Sequence, residues 1–130
     1  MPISDTYVVQ YLLQATQEGS EILWIEKEPS GRVANFRGME LEIDSIPGRA
    51  GPRLFLSISC ASERIQIHEP ANCGIFREKY ESEDDQRLVG LLKELVAAVA
   101  GQCSARRKRS AEKTEVIRQS IYGRLIGAEV

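Results

Sequence analysis

The sequence predicts an α+β fold: an N-terminal helix, a four- to five-stranded antiparallel meander, a long helix on the sheet, and a basic, amphipathic tail helix. Three observations carry that expectation. Apolar residues recur at helical spacing near the start and again after residue 82, while strict two-residue alternation fills the middle. Brief turns separate the alternating segments, which favours hairpins over helical crossovers. A chain of 130 residues with 42% hydrophobic content is long enough to bury one core without disulfides or metal.

Ser4 or Asp5 caps the first helix, in which Val8, Tyr11, Leu12 and Ala15 fall at i, i+3, i+4 and i+7. Tyr7, Val9 and Leu13 widen that stripe, and Gly19 is placed to end it. The period then changes. Ile22-Leu23-Trp24-Ile25 is a compact run of strand formers, Pro29-Ser30-Gly31 a turn, and residues 32 to 37 the returning strand. Met39, Leu41 and Ile43 alternate with Glu40, Glu42 and Asp44, giving one core face and one acidic face. Residues 47 to 52 hold two prolines and two glycines and read as a loop. Leu54, Leu56 and Ile58 define the next strand, Ile65 and Ile67 a shorter one, and a further short strand is expected near Ile75 and Phe76.

Ser82 followed by Asp85 starts the second helix, with Leu88, Leu91, Leu92, Leu95, Val96 and Val99 on one face. Gly101 is expected to close it. Two regions follow from this layout: an α+β domain over residues 1–103, and a basic linker with a tail helix over 104–130. The tail helix is expected from about Ala111 to Ile126, weakened at Gly123 by about 1 kcal/mol relative to alanine.

Charge divides at the same boundary. Residues 1–103 carry 16 acidic and 10 basic side chains, a net of −6, whereas 104–130 carry 3 and 7, a net of +4. Such asymmetry points to a tail that meets an anionic partner or folds back on its own body.

The sequence names no reaction centre. His68 lacks neighbours at metal-ligand spacing and reads as a structural or surface histidine. The carboxylates of Glu40, Glu42 and Asp44 point the same way but belong on the wet face of an antiparallel sheet. Cys60, Cys73 and Cys103 are odd in number and widely spaced, which excludes a disulfide framework or zinc knuckle; Cys73, in Pro-Ala-Asn-Cys-Gly, is the one candidate reactive thiol. The loop with Arg49 and Arg53 lacks a Walker lysine and a following helix start, so phosphate binding is not expected. No catalytic, cofactor or metal residue is therefore assigned. With neither a secretory leader nor a sufficiently long uncharged apolar run, a cytoplasmic protein without membrane contact is expected.

Two candidate surfaces remain. Arg106, Arg107, Lys108 and Arg109, with Arg118, form a cationic set able to attract an acidic protein surface, anionic lipid or nucleic acid. Ile117, Ile121, Tyr122 and Leu125 form an apolar face that needs burial on the same domain, against a second copy or in a partner's groove. The function expected is a small, non-catalytic interaction module of adaptor, chaperone or immunity type, working through its C-terminal helix and sheet face as a homodimer or with another protein. The alternative is a nucleic-acid-associated regulator using residues 106–109.

Overall fold

Ser4 begins α1 (Asp5–Glu18) by accepting the Tyr7 backbone N–H on its hydroxyl at 3.1 Å. This contact belongs to a computed structural model that describes residues 2–18, 22–28, 30–48, 51–72, 74 and 79–127. The expectations at Gly19, Pro29, Arg49, Cys73, Ile75 and Phe76 lie outside the described residues.

The chain is α+β, with an open five-stranded antiparallel sheet in sequential order. The strands are β1 (Ile25–Lys27), β2 (Gly31–Phe36), β3 (Met39–Ile46), β4 (Arg53–Cys60) and β5 (Glu63–His68). A two-residue turn at Arg37 and Gly38, with φ of 51° and 77°, joins β2 to β3. Positive φ at both positions matches the right-handed twist of the flanking strands. The register sets Ala34 opposite Leu41, Leu41 opposite Ile58, and Ile43 opposite Leu56. One sheet face therefore joins the core with Leu12, Leu13, Leu88, Leu92, Leu95 and Val99 of the two helices.

In α1 the buried stripe is Val9, Leu12, Leu13 and Thr16, one residue round from the expected set. Tyr7 and Tyr11 stay exposed, and Val8 and Ala15 are partly buried. Thr16 takes an inward place because its hydroxyl is satisfied twice: it donates to the Leu12 carbonyl at 2.8 Å and accepts the Trp24 indole N–H at 3.1 Å. Ile22 and Trp24 do not belong to a strand. Both are fully buried in the irregular segment before β1.

The largest departure from the sequence reading concerns the second helix. α2 (Glu83–Ile126) is continuous over 44 residues, roughly 66 Å long. It neither stops at Gly101 nor breaks into a linker and a third helix. A single glycine costs about 1 kcal/mol in a helix interior, and a helix this long absorbs that. The true stop is Gly127, whose φ of 70° is the left-handed cap conformation, with its N–H donating to the Gly123 carbonyl. At the other end the Ser82 hydroxyl accepts the Asp85 N–H at 3.1 Å, and Glu83, Asp84 and Asp85 meet the positive end of the helix dipole.

The two helices run in the same direction. Thr6 donates to Asp84 at 3.1 Å and Arg87 to Gln10 at 3.1 Å near their starts. Further along, α2 reaches the segment after α1, where Cys103 donates to the Trp24 carbonyl at 3.6 Å. Cys103 is the last described residue of α2 that is buried. Beyond it the helix leaves the body.

Candidate interaction surface

At about 100° per residue, four consecutive cations cannot share one helix face. Arg106 turns towards the body, half-buried, and its guanidinium donates to the Cys103 sulfur at 3.5 Å. Arg107 pairs with Glu26 of β1 at 3.2 Å. Lys108 and Arg109 face solvent, and Arg118 pairs one turn back with Glu115 at 3.5 Å. The structure thus separates the cationic set: Arg107 ties the root of the projecting helix to β1, Arg106 bonds within the helix, and the others are spread around it.

The apolar set behaves differently. Ile117, Ile121 and Leu125 are spaced by four residues, and Ile117 falls on the same line along α2 as Leu92 and Val99. The stripe that packs against α1 and the sheet therefore runs on past the edge of the body. There Ile117 is 59% exposed, Ile121 56% and Leu125 79%. Tyr122 sits about 100° away from Ile121 and flanks the stripe rather than joining it. Ser110, in phase with both sets, spaces the buried stripe from the exposed one.

By length and composition α2 is apolar enough to cross a membrane, and a third of its apolar window is buried in the body, among it Leu88, Leu92, Leu95 and Val99.

The far face of the sheet carries the acidic row, in which Glu42 is paired with two cations and Asp44 is held by neutral donors. Glu42 accepts from Lys27 at 2.7 Å and from Arg64 at 3.4 Å. The hydrogen bond that Lys27 donates to Glu42, and then the Glu42 charge, hold the Lys27 ammonium above its ordinary value of 10.5. Asp44 accepts from the Ser30 hydroxyl at 2.9 Å and from the Ser45 N–H at 2.8 Å. Glu42 and Asp44 are thus turned to different partners, and among the described residues no three metal-ligating side chains converge. Phe55 and Ser57 on this face are buried: Phe55 lies against His68 with ring centroids 6.0 Å apart, and Ser57 accepts from Arg64 at 2.6 Å. His68 also meets the Gln66 carboxamide at 3.1 Å and is exposed.

Comparison with protein-family models, curated proteins and solved structures finds no match to this chain. What the chain does must be read from its own surfaces.

One such surface escaped the sequence reading. A hollow of about 420 Å³ opens between the first half of α1 and the adjacent end of the sheet, lined by Ile3, Tyr7, Tyr11, Met39, Ile58 and Ile65. Arg37 closes one end, its guanidinium 4.8 Å from the Phe36 ring centre and 5.5 Å from that of Tyr11. The available signal was Tyr7 and Tyr11 at i and i+4, outside the stripe that the core uses.

Proposed function

We propose that this protein is a small non-catalytic interaction module whose body serves as a mount for the projecting half of α2. The observation that carries the proposal is the exposed line of Ile117, Ile121 and Leu125 on a continuous, anchored helix. Aliphatic side chains gain roughly 1.5–3 kcal/mol each when fully taken out of water. Three in register therefore make an efficient contact.

Anchoring matters as much as the stripe. A free helix of about 20 residues pays a nucleation penalty and frays. Here the buried half of α2 supplies the nucleus, so the projecting half is already shaped for docking and loses little freedom on binding. The lining side chains act as helix-in-groove anchors at i, i+4 and i+8.

Nucleic-acid binding draws less support. A phosphate backbone is best met by cations on one accessible face, whereas Arg106 is half-buried and Arg107 is paired with Glu26.

The test is in-cell photo-cross-linking from position 121. A photoreactive residue there should give one discrete adduct larger than the 14.5 kDa chain. Adding Ile117→Glu and Leu125→Glu should abolish it. If position 121 yields no adduct in the cells that make the protein, the proposed function is wrong.

A further inference from the structure

Resting on the interaction role proposed above, we infer that the occupant is a second copy of this chain, with the Ile117–Ile121–Leu125 stripe of each copy seated in the Tyr7–Tyr11–Ile65 groove of the other.

Both halves of such a contact lie open on one molecule. The groove is an apolar hollow whose rim residues Tyr7 and Ile65 are each 59% exposed. The stripe is apolar and convex. A chain's own stripe cannot fill its own groove. The groove adjoins the first turns of α1, which lie beside the start of α2 through the Thr6–Asp84 and Gln10–Arg87 bonds. Ile117 stands 33 residues further along the same unbroken helix, about 50 Å away. Docking must therefore occur in trans.

Charge selects this arrangement over pairing of two projecting helices. The projecting region carries a net +4 and the body a net −6. Helix-to-helix pairing brings like charges together, and helix-to-body pairing brings opposite ones together. Glu63, on the same strand face as Ile65, offers an acidic group beside the groove, whose own lining carries one cation, Arg37, held over the Tyr11 and Phe36 rings; Arg109, Lys113 and Arg124 offer cations along the stripe side of the helix.

Symmetry completes the case. When two copies lie antiparallel, the end of each α2 passes the start of the other copy's helices, where the groove is. The contact is made twice around a two-fold axis, which closes the assembly and leaves neither patch open. A stable interface of about 1,600 Å² in total then needs only about 400 Å² from each partner at each contact.

The deciding experiment mixes two singly reactive variants of the full chain, both carrying Cys60→Ser and Cys73→Ser. One has Ile65→Cys in the groove and the other Ile121→Cys on the helix; both positions are exposed, so the body is undisturbed. A short bis-maleimide linker should join the Ile65→Cys chain to the Ile121→Cys chain, and light scattering of the parent should give twice 14.5 kDa. Ile121→Glu or Ile65→Glu alone should raise the dimer dissociation constant by roughly tenfold or more. A monomeric parent overturns the inference, as does cross-linking confined to two Ile121→Cys chains. A monomer whose position 121 still captures a different protein in cells would refute the self-docking and leave the interaction role standing.

Discussion

The side-chain amide of Gln102 serves Trp24 as a neighbouring strand would. The Trp24 backbone N–H donates to Gln102 Oε1 at 2.7 Å, and Gln102 Nε2 donates to the Ile22 carbonyl at 2.8 Å. Two backbone groups in an irregular, buried segment are thereby satisfied by one residue of α2, 78 positions away from Trp24. This clamp lies one residue before the point where α2 leaves the body, so it also sets the direction of the projecting half.

Removing the clamp should destabilise the body more than its partial exposure suggests. Gln102→Ala orphans a donor and an acceptor, each costing about 1–3 kcal/mol where water is excluded. Gln102→Glu is the sharper variant: its carboxylate still accepts from Trp24 but sets a charged acceptor against the Ile22 carbonyl. Urea unfolding should place both variants below the wild type. An unchanged midpoint in Gln102→Ala would show that water replaces the amide.

Thr16→Val should cost about 1–3 kcal/mol even though it preserves shape, because the Trp24 indole N–H loses its hydroxyl acceptor in a site where Trp24 has no exposure. Trp24 emission reports the same event. It should shift in Thr16→Val and stay put in Thr16→Ser, which keeps the hydroxyl.

These two positions also show why part of the fold was legible in the sequence and part was not. Alternation in β3 placed Leu41 and Ile43 correctly because both strand faces are set by period alone. Ser82 and the aliphatic residues from Leu88 to Val99 were legible because a cap and its helix are local signals. Ile22 and Trp24 read as a strand because their composition is that of one. Their actual partner is a side chain remote in sequence, which no local pattern reveals. Gly101 read as a stop because glycine is permissive, yet it stays helical, and Gly127, with its φ of 70°, takes up the left-handed cap conformation instead. In the candidate site, the apolar positions Ile117, Ile121 and Leu125 were legible from spacing. The splitting of Arg106 and Arg107 from the rest of the cations was not, since it depends on where Cys103 and Glu26 lie.

Gly101→Ala should stabilise the protein. A Cβ at Gly101 meets nothing within 4 Å, and the residue lies well inside α2. The expected gain is about 0.5–1 kcal/mol from the restricted unfolded chain and better helix propensity. Gly90, equally open and equally interior, should add a similar increment. Thermal melts of the single and double variants give the sum. A loss of stability in Gly101→Ala would mean that the helix bends there in solution.

The Lys27–Glu42 pair gives an alkaline signature. The folded value of Lys27 lies above its unfolded value of 10.5, so the pair's contribution is present in full below pH 10.5 and fades as pH rises through the folded value. Lys27 is fully exposed, so the effect on global stability is small and is best read locally. An NMR titration of the Lys27 side chain should show the raised value in the wild type and its return to the ordinary one in Glu42→Gln. Identical titrations in the two proteins would place the cause elsewhere.

Ending the chain at Arg109 should leave the body folded, its melting temperature lowered only by what self-association contributes. No described residue of α2 beyond Cys103 is buried, and Arg107, the last side chain that pairs with the sheet, is retained. The isolated end of the helix frays without drawing on the core, because local opening at an unburied terminus costs close to nothing. Ending the chain at Ala98 is the contrasting case. It removes Val99, Gln102 and Cys103 together, taking away two buried side chains and the clamp on Trp24. Losses of about 2–5 kcal/mol per large buried side chain would bring a domain of ordinary stability near to unfolding. Circular dichroism separates the two. A cooperative melt for the chain ending at Arg109 and none for the chain ending at Ala98 is the expected result, whereas a large drop in the first would show that the projecting helix itself helps hold the body together.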